Sequence, residues 1–226
     1  MLPHPKAKRM MATQSDFYTP TGIHVYFKDN IENKEIDPEL VVGRLEDALP
    51  LPLLSEIEMI IIGWFEEFER RSINAFYDSG TLYISNVQDN NSDMFDDLVH
   101  ETSHSLEQPH GMLIYGDGEL EKEFLRKRGH LHDLLWAKGY KIPKVVFYDP
   151  EYNEELDMFL YEDLGYEKLS SLIRGLFISA YSVTSLREYF ATGFTDFYLD
   201  PNHDFLKTTC PVLYKKLLEL HNLEEN

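Results

Sequence analysis

Cysteine is nearly missing from this 226-residue chain: Cys210 stands alone. An intramolecular disulfide is thereby excluded, and so is a cysteine-rich zinc site, which leaves imidazoles and carboxylates as the donors for any metal. Long apolar runs are missing as well. The longest, such as residues 59–62, are far shorter than the roughly 20 residues needed to span a bilayer, so no transmembrane segment is expected. No apolar stretch of signal-peptide length follows Lys6, Lys8 and Arg9, and the chain reads as cytoplasmic, or as delivered without a visible signal peptide. Basic residues are scarce, 21 Lys plus Arg against 40 Asp plus Glu, for a net charge of −19. That surplus repels phosphates, so neither a nucleic-acid nor a membrane partner is expected, while a basic substrate would be attracted. Keeping a protein dispersed in water is an equally good use of the same charge. Repeats and low-complexity segments are also lacking.

Hydrophobic residues make up 43% of the chain and aromatics 13%, enough to build a sizeable core. Residues 1–20 are polar, contain proline and show no periodicity, so a flexible arm is expected there. Residues 21–226 are expected to form a single domain, with an N-terminal lobe at about 21–110 and a mostly helical C-terminal lobe at about 111–226.

Local signals set out the order of elements. Residues 23–27 alternate as a short strand. Asp37-Pro38 is a helix start, with Asp as N-cap and Pro at the first helical position, and the helix should run to about Ala48. Residues 59–62 suit a buried strand, while residues 65–76 fit a strand or a helix equally well. Asp78-Ser79-Gly80 reads as a turn into the clearest strand, Thr81, Leu82, Tyr83, Ile84 and Ser85. Gln108-Pro109 should break the helix that precedes it, and residues 119–138 should form a long amphipathic helix ending at Gly139. Residues 149–165 form an acidic, aromatic loop or lid, and residues 186–198 an aromatic-rich helix.

The chemistry concentrates at His100-Glu101-Thr102-Ser103-His104. On a helix, residues four apart lie on one face, so His100 and His104 can aim two imidazoles at one Zn²⁺. Glu101 is offset around the helix and can serve a metal-bound water as general base without being a ligand. Leu98, Val99 and Leu106 make the opposite face apolar, and Ser92 and Asp93 offer N-caps upstream. His130 and His132, two apart on a helix, face different ways and suit surface or packing roles.

A catalytic zinc needs a third protein ligand. His110 stands six residues after His104, the spacing of a third histidine in His-Glu-x-x-His-x-x-Gly-x-x-His, but Glu107 occupies the position of the turning glycine. Glu188, eighty-four positions after His104, would complete a His₂Glu set from a second helix. Ser185-x-x-Glu188 is also a capping box, in which Glu188 would only satisfy a backbone amide. Spacing alone leaves these open.

His100-Glu101-Thr102-Ser103-His104, then Tyr181, then Glu188-Tyr189-Phe190-Ala191-x-x-Phe194 and Tyr198, with Leu206-x-x-x-Cys210-Pro211-x-x-Tyr214 in the tail, together resemble the zinc-peptidase domain family of anthrax lethal factor and the Pro-Pro endopeptidases. The resemblance follows the order of elements from about Ile23 to Leu223. It implies an α+β, zincin-like fold of gluzincin type: a small mixed sheet with an edge strand beside an active-site helix, followed by a mostly helical lobe. It further implies one Zn²⁺ per chain held by His100, His104 and Glu188, and a Tyr181 phenol that donates to the oxyanion of the tetrahedral intermediate. The expected activity is that of a zinc-dependent endopeptidase (a metalloprotease, hence a hydrolase) acting on a peptide or protein substrate, with Glu101 as base. Thr81 to Ser85 is expected to be the edge strand that holds an extended substrate. The alternative is a catalytically silent, metal-stabilised binding or effector domain on the same scaffold. Two departures from the family stand out: Thr192-Gly193 replaces Glu-Ala, removing an outer-shell carboxylate, and Glu107 replaces an Asp.

Overall fold

Two strands begin the fold, and the first lies where an arm was expected. In the computed structural model, which describes residues 14–223, β1 (Phe17–Tyr18) pairs antiparallel with β2 (His24–Phe27), Phe17 opposite Val25. Side chains pin this end: Asp16 Oδ1 accepts the Phe27 amide at 3.2 Å and Gln14 Oε1 accepts that of Ile31 at 2.9 Å. Phe17 and Tyr18 therefore belong to the sheet, and Gln14 and Asp16 are bonded to the chain that follows β2 or to its end, so a flexible arm over 1–20 is corrected to that extent. Residues 1–13 lie outside the described residues.

Asp37 caps α1 (Pro38–Ala48) as its sequence implies, its Oδ1 accepting the Leu40 amide at 3.1 Å while Pro38 fills the first position. After the short α2 (Leu51–Leu54) comes β3 (Met59–Gly63), then α3 (Glu66–Arg71), β4 (Ala75–Asp78) and β5 (Thr81–Ser85). The strand order is β1-β2-β3-β5-β4, with β2, β3 and β5 mutually parallel and β4 antiparallel to β5. Val25 and Leu82 flank Ile60, and Phe27 and Ile84 flank Ile62, so one face of the sheet is a buried apolar layer beneath the helices. Ser79 (φ 46°) and Gly80 (φ 84°) both take left-handed dihedrals, the geometry of a two-residue hairpin loop between β4 and β5.

That hairpin overturns one expectation. Thr81, Leu82, Tyr83, Ile84 and Ser85 are paired on both sides, with β3 and with β4, so they cannot be an edge strand that receives a substrate. β4 is the edge instead, formed by part of the stretch whose character the sequence left ambiguous.

The helices that follow are α4 (Asn91–Ser105), α5 (Glu107–Ile114), α6 (Glu119–Ala137), α7 (Glu154–Met158), α8 (Tyr166–Leu172), α9 (Leu186–Leu199), α10 (Asp204–Thr209) and α11 (Pro211–His221). Pro109 does not end α4's helical path as expected. Leu106 keeps right-handed dihedrals and hands the chain to α5, where Pro109 sits in the first turn and its missing N–H costs no intrahelical bond. The expected acidic lid contains α7 running directly into a π-helical turn, Phe159–Leu164. The fold is thus mixed α+β, with a small five-stranded mixed sheet and a mainly helical remainder. Among the described residues no helix is long and apolar enough to cross a membrane.

α9 is fixed from behind by buried ionic groups of α6. Glu123, 1% exposed, accepts the Tyr189 hydroxyl at 2.9 Å and the amides of Val212 (2.9 Å) and Leu213 (3.3 Å), capping α11 from far away in sequence. Lys127 donates to the carbonyls of Leu176 and Thr209, each at 2.6 Å. Gly193 lets α11 approach: a Cβ there would collide with Leu213 Cδ2 and come within 2.9 Å of its Cγ.

Candidate metal centre

α4 carries the His-Glu-x-x-His segment between the sheet and α9. Its N-cap is Asn90, two residues before the expected Ser92, with Oδ1 accepting the amides of Ser92 (2.8 Å) and Asp93 (3.0 Å). Met94, Leu98, Val99 and the following Leu106 are fully buried, so one face of the helix is locked into the core. The buried hydroxyls of Thr102 and Ser105 bond to carbonyls of the preceding turn, Leu98 and Thr102, leaving nothing polar unsatisfied on that face.

The other face brings His100, Glu101 and His104 together, with ligand atoms that all lie within 4.8 Å of one another. The two imidazole rings are 5.2 Å apart between centroids. From α9, Glu188 closes on both: its Oε2 is 3.1 Å from His100 Nε2 and its Oε1 3.8 Å from His104 Nε2. Only half of the capping box forms. Ser185 Oγ accepts the Glu188 amide at 3.1 Å, but the Glu188 carboxylate turns to the histidines instead of back to Ser185. Tyr181, in the 3₁₀ turn Tyr181–Val183 ahead of α9, sits with its ring centroid 6.0 Å from that of His100 and is 41% exposed. Among the described residues neither Glu188 nor His110, which lies on α5, belongs to the group whose ligand atoms are all within 4.8 Å of one another, but Glu188 reaches both imidazoles at the distances above. His130 is exposed on α6, while His132 is buried against Phe147 and bonds to the Ile142 carbonyl at 3.0 Å, a packing role.

Two carboxylates thus stand near the imidazoles, and their surroundings separate them. Burial raises the proton affinity of Glu101, with the two histidines pulling the other way. Glu188 is held below the ordinary glutamate range because the hydrogen bond from His100 and the charges of His104, His100 and Arg187 outweigh its burial. Burial opposes a charge on His104, yet the bond to Glu107 and the charges of Glu101 and Glu188 outweigh it and raise its pKa. Burial, then the charges of Glu188 and Glu101, push the Tyr181 phenol up, so it stays protonated.

Three residues of the site escaped the sequence reading of roles. Glu107 Oε1 accepts His104 Nδ1 at 3.1 Å and the Tyr115 hydroxyl at 3.3 Å, and Glu107 Oε2 accepts Arg187 Nε at 2.6 Å. A carboxylate accepts only, so a proton sits on His104 Nδ1, and Nε2, on the side of Glu188, is the ring nitrogen left to ligate once it is unprotonated. This is the tautomer a ligating histidine needs, and a carboxylate behind the ring is the usual way of fixing it. Glu107 is the carboxylate that stands behind the His104 ring. The clue was the spacing of three between His104 and Glu107, which places them together on a helix; reading Pro109 as a breaker hid it.

The donor set fits a Zn²⁺-type ion: two imidazole nitrogens, one depressed carboxylate, no thiol, and a second carboxylate alongside. Matched against protein-family models, curated proteins and solved structures, the chain finds no match.

Proposed function

We propose that this chain is a zinc-dependent endopeptidase of the gluzincin type, on a zincin-like fold akin to the lethal factor and Pro-Pro endopeptidase family. One observation carries the reading: a carboxylate from a second helix, Glu188, meets Nε2 of both histidines of a His-Glu-x-x-His helix. His100, His104 and Glu188 would hold Zn²⁺, which when bound acidifies water and polarises a carbonyl oxygen.

The chain's own groups take the remaining roles. Glu101, buried and with raised proton affinity, takes a proton from the attacking water and returns it to the departing amine. Tyr181 keeps its phenolic proton and donates a hydrogen bond to the developing oxyanion. The substrate strand lies along β4. Ser85 donates to the Asn74 carbonyl at 2.8 Å, and bonded pairs alternate along an antiparallel ladder, so Phe76 and Asp78 turn their backbone groups toward β5 while Ala75 and Tyr77 turn theirs outward. An extended peptide can pair with that outer edge, close to Glu101, whose carboxylate feels the Tyr77 amide.

The test is proteome-wide mapping of new peptide termini produced by the zinc-loaded protein, beside Glu101→Gln and a chelator-treated sample. Cuts made by the wild type alone are expected, with zinc content unchanged in Glu101→Gln. Stoichiometric zinc with no cut peptide in any sample would favour the silent binding domain instead.

A further inference from the structure

We infer that Arg187 is a positioning residue for the metal centre: through Glu107 it fixes the orientation of His104, and it ties that imidazole to the helix that carries Glu188. The inference rests on the metal-site reading above and assigns a task to a residue outside the ligand set.

Adjacent residues on a helix point about 100° apart. At the start of α9 this divides the work between neighbours: Glu188 turns to the imidazoles, and Arg187 reaches across to Glu107 on α5, placing Nε 2.6 Å from Oε2. The other oxygen of the same carboxylate holds His104 Nδ1 and the Tyr115 hydroxyl. Two side chains that follow each other in sequence thus grip the His104 ring from opposite sides, Glu188 at Nε2 and Arg187, through Glu107, at Nδ1.

The surroundings make this more than a surface ion pair. The Arg187 side chain is 57% exposed, but that of Glu107 is 13% and that of His104 11%, so the carboxylate has lost most of its water and depends on these three donors. Helix propensity offers no reason for the cation. Arg187 sits in the first turn of α9, where the helix dipole disfavours positive charge, in a chain with 40 acidic against 21 basic residues. Arginine suits the task better than lysine because Nε lies partway along a planar group, whereas lysine offers one mobile ammonium at its tip.

The experiment measures Zn²⁺ affinity of the full chain by competition with a chromogenic chelator, and records the visible absorption of the Co²⁺-substituted protein, for wild type, Arg187→Gln, Arg187→Lys, Glu107→Gln and the Arg187→Gln/Glu107→Gln double variant. Arg187→Gln should weaken Zn²⁺ binding by about 10-fold or more and change the Co²⁺ band, in line with the roughly 10–100-fold typical of such supporting partners. Arg187→Lys should fall between it and wild type. The double variant should lose little beyond Glu107→Gln, since both substitutions break one chain of contacts. Wild-type affinity and spectrum in Arg187→Gln, or losses that simply add in the double variant, would overturn the inference. If Arg187→Gln does not fold, Arg187→Lys decides: weakened binding supports the role and wild-type binding refutes it. A wild-type chain that binds neither Zn²⁺ nor Co²⁺ refutes the metal-site reading itself, a result distinct from all of these.

Discussion

Glu188 Oε2 lies 3.1 Å from His100 Nε2 although eighty-eight positions separate them, so the side chain that completes the site arrives from another helix and from late in the chain. Its removal should therefore be felt as a loss of metal rather than of structure. Glu188→Gln keeps the shape and the Ser185 cap but loses the charge. Zinc affinity should fall by more than the roughly 10–100-fold expected of a supporting partner. Chelator competition measures it, and stoichiometric zinc retained at wild-type affinity would hand the ligand role to Glu101 or His110.

Tyr181→Phe removes a donor without touching a ligand. With zinc content unchanged, kcat on a cleaved peptide should drop by roughly 10²–10³-fold, the usual cost of losing an oxyanion donor. Because the phenol is held above its ordinary pKa, its ionisation should not cause an alkaline fall in activity below about pH 10. Equal kcat in the two proteins would remove Tyr181 from the mechanism.

Asp97, one turn before His100, gives a stability prediction with a definite sign. Burial pushes its carboxyl up from 3.8 to about 6, the Gln88 bond at 3.0 Å opposing and the charge of Glu101 adding. The folded state therefore binds this proton more tightly than the unfolded chain, and stability falls as pH rises from about 4 to 6. Asp97→Asn should escape that loss, unfolding with about 2 kcal/mol more stability at pH 7 and none at pH 4. Denaturant titrations at both pH values check it; parallel curves for the two proteins would contradict it.

Gly193→Ala restores the residue that the resembled family carries, and should nonetheless be harmful here. The new methyl collides with Leu213, forcing α11 away from α9 at a cost of about 1–3 kcal/mol. Thermal unfolding of the metal-free protein should show a lower Tm. An unchanged Tm would mean that Leu213 can swing aside.

How much of this was legible depended on how local each signal is. Asp37-Pro38, Ser185 and Gly139 act within a turn of the helices they start or stop, and the expected elements lie where they indicate. The His-Glu-x-x-His spacing likewise needs only one helix to bring three side chains together. Ala75–Asp78 offered no comparable sign: four residues ahead of a tight turn become a strand because β5 pairs with them. Whether β5 lies inside the sheet or at its edge is decided by those partners, so Thr81 to Ser85 looked like the better edge from its own composition. Phe17–Tyr18 is a strand for the same reason, through pairing with Val25 and His24. Arg187 and Glu107 are charged residues like many others in the chain, and only the packing of α9 against α4 and α5 makes them a pair.

The distance in sequence between the two halves of the site sets a clock. At roughly 5–20 residues per second of synthesis, His104 leaves the ribosome about 4–17 seconds ahead of Glu188, and α11, which braces α9, follows later still. A growing chain thus carries two histidines without their third partner throughout that interval. On the proposed reading, the site would stay incomplete during synthesis until α9 and the α11 that braces it are free to fold.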